Sequence, residues 1–70
     1  MKVWVVNSPY GTMDVFNSAE KAYDYILDNI YQSPYIEQED YIAELKEEFD
    51  WNRNSFGVED FLWTMAYEVI

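Results

Sequence analysis

Half of the residues between Glu37 and Asp50 are acidic: EQEDYIAELKEEFD carries seven carboxylates in fourteen positions. Carboxylates at this density can hold a hard cation, work as an acid–base pair, or present a rod of negative charge to a basic surface. The spacing favours the rod. Ile42, Leu45 and Phe49 recur at i, i+3 and i+7, the period of a helix with one inward face. Glu37, Asp40, Glu44, Glu47 and Glu48 recur three or four apart and are expected to share a solvent face of that helix. At about 1.5 Å per residue, Glu37 to Glu48 spans about 16 Å. The five charges then fall roughly 4 Å apart, against about 3.4 Å per phosphate on one DNA strand. A groove built for phosphates would accept such a ladder, and Tyr35 and Tyr41 nearby could stack or hydrogen-bond within it. The plain alternative is a solvated face that keeps the protein soluble.

The other two chemistries find less support. Asp24 with Asp28, or Glu44 with Glu48, sit at i, i+4 and could share Ca²⁺ or Mg²⁺. Such ions want about six or more oxygens, usually from a loop with a glycine bend, and the chain has no such loop. With no Cys and no His there is no soft-metal site, so no metal or cofactor is expected. The same absence removes nucleophile-and-base pairs. Ser8, Ser18, Ser33 and Ser55 all fall at turn or cap positions, and a seventy-residue core has little room for a cleft. No catalytic residue is expected.

Seventy residues make a single domain, 1–70, near the lower size at which one core holds a fold without staples. Four Phe, three Trp and seven Tyr offset that size, since each ring buries roughly 150–250 Å² when packed. Trp4, Phe16, Tyr23, Phe49 and Trp63 are expected to face the core. Tyr10, Tyr31, Tyr35, Trp51 and Phe56 fall in loops or at helix ends, where they could anchor a partner. Fourteen acids against four bases give a net charge of −10. That opposes direct binding to nucleic acid or an anionic membrane and favours a basic partner. The apolar run Val3–Val6 is far too short for a signal peptide or a membrane span, so the cytoplasm is the expected compartment.

The elements that must position the acidic ladder can be read in order. Lys2–Asn7 is β-branched and aromatic and predicts a central strand. Ser8–Thr12 carries turn chemistry, and Met13–Phe16 returns as a second, antiparallel strand. Asn17 with Glu20 predicts a helix cap, followed by a helix over Ser18–Tyr31 with Ala19, Ala22, Tyr23, Ile26, Leu27 and Ile30 as its stripe. Ser33-Pro34 ends it. The acidic helix is predicted from Tyr35 to Asp50, with Glu47, Glu48 and Asp50 at the end where the helix dipole disfavours them. Trp51–Gly57 reads as a loop, with Arg53 paired to Asp50. The last segment is ambiguous. Trp63, Met65, Tyr67 and Val69 alternate as in a strand, while Val58, Phe61, Leu62, Met65 and Val69 also make a helical stripe. A strand over Phe61–Val69 is preferred, because it gives the first strand a second neighbour. The expected fold is α+β, ββααβ, with a three-stranded sheet, two helices on one face and both sheet edges open, as a monomer or weak homodimer.

KVWVV, a glycine-containing turn and VFNSAEKAYDYI resemble a group of small uncharacterised proteins of phages and other mobile elements. The matching features are Lys2–Val6, Val15-Phe16, Asn17 with Glu20-Lys21-Ala22, and the final Ala66–Ile70. The resemblance implies a phage or mobile-element origin and a ββα…β fold. It transfers no functional residue, and the acidic middle lies outside it. A looser likeness, of size and charge, is to the acidic anti-defence proteins of phages, including anti-CRISPR and anti-restriction inhibitors. That likeness implies a partner with a basic groove: a host nucleic-acid-binding defence protein such as a CRISPR effector. The contact residues would be Glu37, Asp40, Tyr41, Glu44, Glu47 and Glu48. The competing expectation is an accessory interaction module of a phage that uses a sheet edge or exposed aromatics, with acidity serving solubility alone.

Overall fold

A computed structural model describes all residues, Met1–Ile70. Its elements run β1 (Lys2–Ser8), β2 (Gly11–Phe16), α1 (Ala19–Tyr31), α2 (Gln38–Trp51), β3 (Ser55–Val58) and β4 (Leu62–Glu68). The α+β class holds, but the expected three-stranded sheet is wrong. The sheet has four strands, all antiparallel, in the order β2-β1-β4-β3. The additional strand is β3, in the stretch read as loop. It pairs Ser55 with Met65, Phe56 with Thr64, Gly57 with Trp63 and Val58 with Leu62.

Both helices cover one face of the sheet. Ala19, Ala22, Ile26 and Ile30 make the buried stripe of α1, and Leu45 is the buried residue of α2. They close over Val6 of β1, Phe56 and Val58 of β3 and Leu62 of β4. Aromatic rings fill the seam between α1, α2 and β3: Tyr23 and Phe49 lie 4.5 Å apart, and Phe49 meets Phe56 edge-on at 5.0 Å. Such pairs add about 0.5–1.5 kcal/mol each beyond their buried area. Between Leu62 and Ala66, β4 turns Thr64 toward the helices. Thr64 is buried there and its hydroxyl donates to the Val5 carbonyl at 2.9 Å, so no polar atom is stranded.

That arrangement reverses the expected role of Trp63. Leu62, Thr64 and Ala66 face the helices, so Trp63, Met65 and Tyr67 point to the helix-free side. Trp63 is not part of the core cluster, whereas Trp4, Phe16, Tyr23 and Phe49 pack against it as expected. Phe56, expected in a loop, is buried.

Local signals shift by a few residues. The cap of α1 is Ser18 rather than Asn17: its hydroxyl accepts from the Lys21 backbone N–H at 3.1 Å, while Asn17 accepts from the Lys21 ammonium. Helix α2 starts at Gln38, not Tyr35. Gln38 donates its side-chain amide to the Ser33 carbonyl, which holds Pro34-Tyr35 as a turn, and Ile36 packs against the core before the helix begins. The expected Arg53–Asp50 pair does not form. Asp50 is taken by Lys46 at 3.0 Å. Arg53 instead lies over the Phe49 ring at 4.2 Å and meets Glu20 at 3.3 Å.

The candidate acidic interface

Helix α2 turns about 100° per residue. With Leu45 pointing inward, Asp40, Glu44, Glu47 and Glu48 fall within about a 100° arc on one flank, and Glu37 continues that flank from the N-cap position. All five are exposed. None has a basic partner: the ion pairs of the molecule are Met1–Glu68, Lys46–Asp50 and Arg53–Glu20. Glu39, Lys46 and Asp50 lie on the other flank. Lys46 is held above its ordinary pKa, first by its hydrogen bond to Asp50 and then by the charge of that carboxylate. The single lysine of α2 is thus spent on the flank away from the ladder.

The ladder is longer than its helix. Helix α2 packs over the edge strand β3, and the turn from β3 to β4 carries Glu59 and Asp60. Asp60 takes φ 71°, a left-handed conformation that Asp and Asn tolerate better than most side chains. This turn brings both acids beside Glu48, where the three line a shallow cleft of about 400 Å³ with Gly57 and Trp63. Seven unpaired carboxylates therefore follow one side of the molecule. No three His, Cys, Asp or Glu side chains are grouped so as to hold a metal ion.

Glu59 and Asp60 were not expected in the site. The signal that could have found them is an acidic pair between Val58 and Leu62, two residues that a short hairpin would set opposite each other. Tyr41 does not join the acids. It is half-buried and meets Phe61 edge-on at 5.5 Å, on the inward side of α2. Tyr35 stands 97% exposed in the helix–helix connection. Trp51 is 83% exposed at the end of α2, where it lines a groove with Ala43, Lys46, Glu47 and Asp50.

No protein-family model matches the chain, nor does any curated protein or solved structure. No helix is long and apolar enough to cross a membrane.

Proposed function

We propose that this protein is a phage-encoded inhibitor. It docks its acidic flank in the basic nucleic-acid groove of a host defence complex, most concretely a CRISPR effector, and denies that groove to nucleic acid. The observation that carries this reading is the run of unpaired carboxylates from Glu37, Asp40, Glu44, Glu47 and Glu48 to Glu59 and Asp60. Four basic side chains were available, and none neutralises that side. The protein acts by occupancy, without catalysis or cofactor, in the cytoplasm of the host cell, and does not itself bind nucleic acid.

The test is binding to a purified effector complex at increasing NaCl, with DNA as competitor. Affinity falls steeply with salt, DNA competes, and the double substitution Glu44→Lys with Glu47→Lys removes inhibition while the protein stays folded. Inhibition that survives this double reversal would sink the mimic reading.

A second reading, a phage accessory interaction module, is favoured by the exposed Trp51 and Tyr35. It would give salt-insensitive binding that is lost in Trp51→Ala. Strand addition is the weaker form of that module. The β2 edge is interrupted by a bulge, and the Val15 N–H is occupied by the Asp14 carboxylate at 2.8 Å.

A further inference from the structure

A four-stranded antiparallel sheet with helices on one side leaves its other side to solvent, where polar residues are the rule. Here that side is apolar. The pairings set Val15, Val5 and Met65 in one row across β2, β1 and β4, with Val3 and Tyr67 paired beside them and Trp63 beyond. None of these six side chains belongs to the core or packs against it. On β4 the outward series Trp63, Met65, Tyr67 is bulkier than the inward series Leu62, Thr64, Ala66. Val15 on the edge strand β2 and Met65 on the inner strand β4 are 50% and 45% exposed.

The strand positions of this face carry no charge, and it borders carboxylates only at its Trp63 corner, beside the cleft of Glu48, Glu59 and Asp60. Eighteen of seventy residues are charged, yet the other strand positions that point this way are Asn7, Thr12, Ser55 and Gly57. Asn7 accepts a hydrogen bond from the Thr12 hydroxyl at 3.2 Å, so these two polar groups satisfy each other at the border of the patch. A basic partner would gain nothing here, and would be drawn to the acidic flank instead. A second copy of this chain meets a surface like its own, apolar and without charge at its strand positions, with Glu37, Asp40, Glu44 and Glu47 carried on the helix side and Glu48 at the Trp63 corner.

We infer that the helix-free face of the sheet is the contact between two copies of this chain, related by a two-fold axis. Strands about 4.8 Å apart and about 3.4 Å per residue give a face of roughly 400 Å² per copy in projection. Allowing for its corrugation, stacking two such faces removes roughly 1,000 Å² from water. That meets the lower bound for a specific interface and falls short of the roughly 1,600 Å² of a stable one. The dimer is therefore reversible. It is also salt-promoted, because two bodies of charge −10 repel until the salt screens them. Groove binding by the acidic flank has the opposite salt dependence, so the two contacts are separable. In the stacked dimer both acidic flanks remain on the outside, available to one partner each.

The test is sedimentation equilibrium of the whole protein across a wide concentration range, at low and high NaCl. The weight-average mass rises from 8.4 kDa toward twice that value with concentration, and rises earlier at high salt. Met65→Glu and Val15→Glu, both on half-exposed positions, each weaken association about tenfold or more while circular dichroism reports an intact fold. Glu44→Gln, on the far side, does not weaken it. A monomer mass at every concentration and salt would overturn the inference, as would a dimer indifferent to both face substitutions.

Discussion

Trp63 stands directly opposite Gly57 in the β3–β4 ladder, and its backbone occupies the space a side chain on Gly57 would need. A Cβ built there collides with the Trp63 Cα and lies 2.6 Å from the Leu62 carbonyl. Gly57 also takes φ 145°, which side-chain-bearing residues rarely adopt. Gly57→Ala must therefore move the strand, not a flexible tip. It should destabilise the fold by about 2–3 kcal/mol, read as a lower urea midpoint. Because β3 holds Glu59 and Asp60 at the cleft they share with Glu48, the same variant should also weaken any contact made by the extended acidic flank.

Arg53 joins the two helices: it follows α2, covers Phe49 of that helix and reaches Glu20 in the first turn of α1. The Glu20 pair is solvent-exposed, so screening leaves it little energy. The stack on Phe49 is the larger part. Arg53→Ala should cost about 1 kcal/mol in chemical denaturation, and Glu20→Gln only a few tenths. Equal losses would show that the ion pair, not the stack, holds the helix ends together.

Lys46 and Asp50 supply the pH-dependent contact. The lysine pKa is raised above the ordinary 10.5 by its hydrogen bond to Asp50 and by that residue's charge. A group with a raised folded pKa stabilises the fold below its unfolded pKa, and that support is lost as pH climbs through the folded value. The lysine's own contribution is thus lost only at strongly alkaline pH. NMR titration of the Lys46 side chain should give a midpoint above that of an ordinary lysine. In Asp50→Asn the midpoint should return to the ordinary range.

What could be read in the sequence was what neighbours in sequence decide. The stripe Ala22, Ile26, Ile30 and the acids of α2 repeat within single helices, so their period discloses them. β3 is four residues long, contains a glycine and follows Asn-Arg-Asn. Its strand character comes from Trp63 and Thr64 across the ladder, which no local pattern records. The alternation in β4 was visible, but periodicity does not say which series points inward. That choice was made by the helices, which leave room for Thr64 and Ala66 rather than Trp63 and Met65. Glu59 and Asp60 were invisible as site residues for the same reason: only the paired turn returns them to Glu48. Tyr41, by contrast, could have been placed, since four residues before Leu45 lies on the inward face.

The acids at the end of α2 oppose the helix that carries them. Its last turn has no basic residue, Glu48 follows Glu44 by four positions, and Glu59 and Asp60 crowd the same cleft. Local electrostatics would prefer a cation there, which would favour the helix dipole and meet two free carboxylates. Glu48→Lys should therefore stabilise the fold by about 0.5–1 kcal/mol, with a gain in thermal midpoint that shrinks as salt is added. If the flank exists to enter a basic groove, the same substitution should weaken that binding at least about tenfold, leaving a more stable and less active protein. If the acidity serves only solubility, Glu48→Lys should stabilise the protein and leave partner binding unchanged. Measuring thermal midpoint and affinity on one sample of the variant distinguishes the two, because only a functional flank makes them move in opposite directions.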